Sequence, residues 1–354
     1  MGNLAQPEIF RTVLMKITRK EILSIDSLKI GYGSGNNKNI LLPPLSARAF
    51  SGEMIAVIGR NGIGKSTLLR TLTGLQPPLG GEIYYAGKNI RYFTRIELAQ
   101  NTGYISTEIV KVSNMRVYDL VALGRFPHTN WIGKIELKDH VAIENALEMT
   151  SIQNLKDKYV SELSDGERQK TMIARILAQD TGTMIMDEPT AFLDISAKYD
   201  ILHLLRQLST HNEKTVIFST HDLQTAISQS DKIWLILDDG LIEGAPEDLM
   251  IAGSFDHLFN SSTVLFNSED GTFSFRSESL GSIYIEGEGN MRYWTEKAIN
   301  RAGFTLSKEK SFPYIKIPSD DKYNWQLITS NSSEKFNSIY ELISYLKRKV
   351  RKAT

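Results

Sequence analysis

One string constrains this chain more than any other: Gly59-Arg60-Asn61-Gly62-Ile63-Gly64-Lys65-Ser66-Thr67. It fits G-x-x-x-x-G-K-[ST], a loop whose backbone N–H groups turn inward as an anion nest at a positive helix N-terminus. The context agrees with the pattern. Met54-Ile55-Ala56-Val57-Ile58 reads as a buried strand, and Thr67 to Leu72 continues as a helix. Such a loop cradles a triphosphate, with Lys65 on the β- and γ-phosphates and the Ser66 hydroxyl on Mg²⁺.

A metal held by one hydroxyl and two phosphates calls for a carboxylate. Met184-Ile185-Met186-Asp187-Glu188 supplies it at the end of a second apolar strand, with Pro189, Thr190 and Asp194 following closely. Asp187 is the expected metal partner. Side chains alternate along an extended segment, so Glu188 points elsewhere and suits the role of general base for the attacking water.

Taken with Leu163-Ser164-Asp165-Gly166-Glu167-Arg168-Gln169, these motifs resemble those of the ATP-binding cassette (ABC) ATPases over roughly residues 25–250. The resemblance implies an α/β fold: a P-loop nucleotide-binding domain with a helical subdomain. It implies a bound ATP contacted by Tyr32 on the adenine and by Gly59, Asn61, Gly62, Gly64, Lys65, Ser66 and Thr67 on the phosphates. Ser164 and Gly166 would face the γ-phosphate held by a second copy, Asp194 would line the interface of that homodimer, and His221 would touch the γ-phosphate. Catalysis would then rest on Glu188, His221 and Lys65. Physical reasoning runs the same way, since phosphoryl transfer needs positioning and charge stabilisation, which a site split between two chains provides only when ATP draws them together.

Two departures from the family pattern stand out. Asp165 occupies a position where Gly is usual, and an acid aimed at a γ-phosphate would be repulsive, so it is expected to face solvent. After Gly103-Tyr104-Ile105 the family shows a Gln, and here Ser106-Thr107-Glu108 follows. Thr107 stands in that place by register and Glu108 is an oxygen ligand within reach, so either is a candidate for the metal's further protein contact.

The chain has 354 residues, more than a single core normally serves. We expect a lead-in over 1–20, the cassette over 21–250 with its helical subdomain at about 110–165, a linker over 251–280, and a small α+β appendage over 281–354. In the appendage Gly281 to Glu286, Tyr314 to Ile317 and Trp325 to Ile328 read as strands. Trp294, Ala298, Ile299 and Ala302 share one helical face, and Phe336, Ile339, Ile343 and Leu346 mark a closing amphipathic helix. Its guessed role is regulatory or dimer-stabilising. The basic run Lys347 to Lys352 reads as a solvated helix end complementing the macrodipole, with contact to anionic lipid as the alternative.

Composition narrows the partners. Lys and Arg number 41, as do Asp and Glu, so no whole-chain electrostatic footprint for nucleic acid exists. Cysteine is absent, which removes disulfides and thiolate metal sites and fits the cytosol. No apolar run approaches the length that crosses a bilayer, and the N-terminus lacks the pattern of a cleaved signal or a myristoylation site.

Leu123-Gly124-Arg125-Phe126-Pro127-His128 resembles a string in the ATPases of bacterial importers for iron-siderophores, haem and cobalamin. That resemblance implies an ATPase at the cytoplasmic face of the inner membrane, docked on a transmembrane permease and, through it, on a substrate-binding protein. A soluble ATPase of the same fold acting on nucleic acid or ribosomes is the rival reading. It usually carries two cassettes or a long coiled-coil insertion, and neither is visible. A regulator that binds ATP without turnover is a third.

Overall fold

Strands buried on both faces read as unbroken apolar runs, and those runs build the central sheet. In this computed structural model, which describes residues 19–33, 35, 37–108, 114–130, 133–259, 264–267, 272–275, 279–317 and 324–351, that sheet has six strands. Their order is Gly240–Gly244, Lys232–Leu237, Met54–Gly59, Thr215–Ser219, Thr183–Met186 and Thr102–Ile105. All pairings are parallel except the antiparallel pair at the Gly240–Gly244 edge. A second, antiparallel sheet orders Leu45–Phe50, Glu21–Lys29, Gly80–Tyr85 and Lys88–Asn89. Leu23, Ile25, Leu45 and Ile83 of this sheet join Val57, Ile185, Ile217 and Trp234 of the first, with Leu68, Leu69 and Leu72 of helix Lys65–Leu72, in one buried core.

The helical subdomain is built by Val117–Ala122, the 3₁₀ turn Leu123–His128, Leu137–Met149 and Asp165–Ala178, which pack on one another. Its anchor is electrostatic as well as apolar. Arg125 Nε donates to Asp139 Oδ1 at 2.9 Å, and Arg125 Nη1 donates to the Ala178 carbonyl at 2.7 Å. Both charged side chains are buried. Burial opposes ionisation of Asp139, but the backbone N–H of Glu136 and the Arg125 guanidinium outweigh it and hold the carboxyl below its ordinary value. Gly124 lets this turn approach, because a Cβ there would lie 2.0 Å from the Arg175 carbonyl oxygen. His128 Nε2 meets the Gln179 carbonyl at 2.8 Å. The string Gly124 to His128 is therefore a clamp on the end of helix Asp165–Ala178, and within it Phe126 remains exposed.

The chain divides into two compact units between Leu258 and Phe259. In the second unit a five-stranded sheet runs Thr305–Leu306, Ser282–Glu286, Tyr314–Lys316, Trp325–Ile328 and Ser333–Phe336. Helices Gly289–Arg301 and Ile339–Arg351 pack on each other and on the sheet. Their core is Ile283, Ile285, Ile299, Ile315, Trp325, Leu327, Leu342 and Leu346.

Three details differ from the sequence reading. Residues 251–280, read as a linker, carry a 3₁₀ turn at Ser254–Leu258 and a hairpin of Val264–Asn267 with Thr272–Phe275. Trp294 lies mostly exposed, and Thr295 takes the inward position, because its hydroxyl accepts from the Trp325 indole N–H at 2.9 Å. Phe336 ends a strand instead of opening the last helix, which begins at Ile339. The lead-in up to residue 18 and the end of the basic run at Lys352 lie outside the described residues.

Candidate functional site

In an open α/β sheet, ligands sit beyond the carboxyl ends of the strands, and here the motif residues gather at those ends. Strand Met54–Gly59 delivers the glycine loop, Thr183–Met186 delivers Asp187 and Glu188, and Thr215–Ser219 delivers His221. Because these strands are direct neighbours in the order 54–59, 215–219, 183–186, segments more than 120 residues apart in sequence converge.

The loop enters helix Lys65–Leu72 through Gly64, whose φ of +113° lies in the left-handed region that disfavours any side chain. Lys65 is folded back and buried, with Nζ donating to the carbonyls of Gly59 at 2.9 Å and Arg60 at 3.3 Å. Burial lowers its pKa, and the carboxylates of Glu188 and Asp187 pull the other way. Ser66 is exposed one residue on. Thr67 is buried, and its hydroxyl shares a 2.9 Å hydrogen bond with that of Tyr32, which ties the half-exposed tyrosine ring to the mouth of the loop.

Asp187 is 3% exposed, and its backbone N–H is taken by the Ile105 carbonyl at 2.9 Å. Its Oδ1 accepts from the Ser219 hydroxyl at 2.6 Å. The chain then turns at Glu188, a non-glycine residue with φ of +48°, whose N–H donates to the same Ser219 oxygen at 2.9 Å. This turn brings Glu188 Oε2 to 3.5 Å from His221 Nδ1. The sequence reading had passed over Ser219. Its signal is a hydroxyl that follows the apolar Val216-Ile217-Phe218 at the carboxyl end of a buried strand.

The signature residues stand at a helix start. Ser164 caps helix Asp165–Ala178, with its hydroxyl accepting from the Glu167 N–H and the Glu167 carboxylate accepting from the Ser164 N–H. That backbone bond is the main reason the Glu167 carboxyl is held below its ordinary value. Ser164 lies exposed at the surface, and Gly166 packs so close to Ala197 that a Cβ would lie 3.1 Å from its methyl. Asp165 is mostly exposed and bound to Arg168 at 2.6 Å, so its charge is compensated locally. Asp194 caps helix Ile195–Asn212 through a 2.8 Å bond from the Ala197 N–H, with Phe192 and Ile195 exposed beside it.

Thr107, Glu108, Asp165, Arg168, Gln169, Glu188 and Phe192 line a cavity of about 60 Å³. Both departures from the family pattern thus face the same small space as Glu188. Glu108 is 3.7 Å from the Arg70 guanidinium.

The donors suit Mg²⁺. The hard cation prefers oxygen, keeps most of its waters and binds through one or two carboxylates plus phosphate oxygens. Asp187 offers a buried carboxylate and Ser66 an exposed hydroxyl, the oxygen donor types such an ion takes. Among the described residues no group of three or more His, Cys, Asp and Glu stands together as a metal cage.

Comparison with known proteins agrees with this geometry. Residues 42–191 match the family described as ABC transporter, and residues 280–347 match the iron ABC transporter C-terminal domain. An ABC transporter ATP-binding protein of Methanocaldococcus jannaschii is 33% identical over 260 residues, covering 73% of this chain and 88% of that protein. Ferric enterobactin transport ATP-binding protein FepC of Escherichia coli is 34% identical, covering 66% of this chain and 85% of its own length. Among solved structures, cbiO1 from Clostridium perfringens, part of the ABC transporter complex cbiONQ, superposes with a TM-score of 0.57 at 28% identity, over 66% of this chain and 92% of that one. With the glycine loop, the Asp187–Glu188 pair and the helix begun by Ser164 assembled on such a fold, this chain belongs to the ATP-binding proteins of the ABC transporter family.

Proposed function

We propose that this chain is the ATP-hydrolysing subunit of an importer, with an iron-siderophore cargo ahead of haem or cobalamin. The observation that carries this reading is the convergence of Lys65, Asp187, Glu188 and His221 at three adjacent strand ends, while Ser164 is presented outward from the same chain. An exposed Ser164 that caps its own helix is available to a second copy, which would complete the site. FepC and the iron(3+)-hydroxamate import protein FhuC of Bacillus subtilis, 33% identical over 58% of this chain and 74% of that protein, support the iron-chelate class, as does the iron-type C-terminal domain.

In this mechanism the glycine loop binds the phosphates through backbone N–H groups. Tyr32 stacks on the base. Lys65 leaves its carbonyl partners for the β- and γ-phosphates. Ser66 and Asp187 would hold Mg²⁺, with Thr107 or Glu108 as a further protein contact, and the bound ion would supply charge neutralisation on the phosphate oxygens. Glu188 takes a proton from the attacking water, and His221, beside it, donates to the γ-phosphate. Ser164 and Gly166 of the second copy close the site, and Asp194 lies along the seam between the two copies. Exposed Phe192 and Ile195 give that seam apolar surface to bury.

Closure is passed to a permease through the helical subdomain. A cavity of about 460 Å³, lined by Thr73, Leu75, Arg95, Leu98, Thr102 and Gln179, supports this role. Gln100, on the helix Arg95–Asn101 that also carries Arg95 and Leu98, donates to the Pro127 carbonyl at 2.8 Å, tying the cavity wall to the turn that exposes Phe126. Among the described residues no helix is long and apolar enough to cross a membrane, so the transport path belongs to the partner.

The test is co-purification of the tagged chain from detergent-solubilised membranes, with ATP turnover measured with and without the companion. A polytopic permease that raises turnover is the expected result. A ribosomal or nucleic-acid companion would instead establish the soluble ATPase.

A further inference from the structure

We infer that Ser219 is a positioning residue of the ATPase site: its single hydroxyl fixes both the metal-side face of Asp187 and the turn that aims Glu188. The inference rests on the function proposed above.

Strand Thr215–Ser219 lies between the strand feeding the phosphate loop and the strand feeding Asp187. Its parallel register pairs Phe218 with Met186, so the next residues, Ser219 and Asp187, stand side by side. Ser219 is fully buried, and its oxygen is within hydrogen-bond distance of two groups that have fixed roles. The Glu188 N–H can only donate, and an ionised Asp187 carboxylate can only accept. The hydroxyl proton is therefore committed to Asp187 Oδ1 at 2.6 Å, and a lone pair is committed to Glu188 N–H at 2.9 Å.

Two consequences follow for the reaction. With one lone pair of Oδ1 taken and the Asp187 backbone tied to Ile105 on the other side, the carboxylate plane is set before a cation arrives, and Oδ2 is the less encumbered oxygen for it. The Glu188 N–H has left the strand ladder at a left-handed turn, and the Ser219 oxygen satisfies it there. The same bond holds the side chain on the His221 side of the site, 3.5 Å from that ring. One hydroxyl thus links the position of the metal ligand to that of the base.

The test uses Mn²⁺ as a stand-in cation, with free Mn²⁺ followed by electron paramagnetic resonance on the full chain holding a non-hydrolysable ATP analogue. Ser219→Ala is expected to weaken Mn²⁺ binding on the order of tenfold. Affinity for the analogue in EDTA should stay unchanged, since no phosphate or base contact is touched. Ser219→Thr, which keeps the hydroxyl, should recover most of the Mn²⁺ affinity. Wild-type Mn²⁺ affinity in Ser219→Ala overturns the assignment. Should that variant not fold, Ser219→Cys serves, because it keeps the volume with a poor donor and is expected to lose Mn²⁺ affinity likewise; wild-type affinity there also overturns it. A wild-type protein that binds neither the analogue nor Mn²⁺ with it would sink the ATPase reading itself, a result distinct from either variant's.

Discussion

Glu188→Gln is expected to bind ATP about as well as the wild type and to hydrolyse it roughly 10² to 10⁴ times more slowly, the usual contribution of a positioned general base. The substitution keeps the shape and the backbone turn, including the N–H bond to Ser219, and removes only the capacity to take a proton. In the proposed mechanism ATP holds the two copies together until it is cleaved, so the variant should accumulate as a closed dimer in ATP. Size-exclusion chromatography with and without nucleotide reports the dimer, and phosphate release reports the rate. Turnover at the wild-type rate would remove Glu188 from the role of base.

Arg125→Met carries the largest expected effect on stability. It leaves the Asp139 carboxylate buried without its cation and frees the Ala178 carbonyl of its 2.7 Å donor. Breaking one side of a buried pair typically costs about 3 to 5 kcal/mol, and here the loss should centre on the helical subdomain. Hydrogen exchange along Leu137–Met149 and Asp165–Ala178 would locate it there. Its pH dependence has a definite sign. Folding depresses the Asp139 pKa, so the pair's stabilisation is fully present above the ordinary carboxylate range and fades as pH falls through the depressed value. The gap between wild type and Arg125→Met should therefore narrow in acid. A gap that widened there would assign the stability to something other than this pair.

How much of this was legible in the sequence depended on how local each feature is. The phosphate loop is contiguous, so its strand, glycines and helix were readable in place. Asp187 and Glu188 were readable because both follow one apolar run. Ser219 was not, since its partners lie about 30 residues upstream and meet it only through a parallel register. Arg125 was noticed as part of a string, yet its burial with Asp139 depends on how Leu137–Met149 packs across the turn. In the appendage, helical phase favoured Trp294 as a core residue by its size. The indole of Trp325 rotates the choice by one residue to Thr295, a hydroxyl that can accept from it. The strand Ser333–Phe336 was hidden for a related reason, as Phe336 also falls in phase with the helix that follows.

The departures at Thr107 and Asp165 bear on coupling more than on fold. Asp165 pairs with Arg168 within its own helix turn, and the signature keeps an exposed Ser164 beside Gly166. Thr107 and Glu108 line the small space that also holds Glu188.

The central claim is that each site is completed by the second copy, and mixing two inactive variants tests it directly. Lys65→Ala disables a protomer's own phosphate loop, and Ser164→Arg blocks the signature it offers to its partner. In a mixed dimer both lesions fall in one site, which leaves the other intact. The account predicts that each variant alone is inactive and that co-refolded or co-expressed mixtures regain part of the wild-type ATPase rate. Mixtures as inactive as the separate variants, although mixed dimers are demonstrably present, would contradict it and return Ser164 to the site of its own chain.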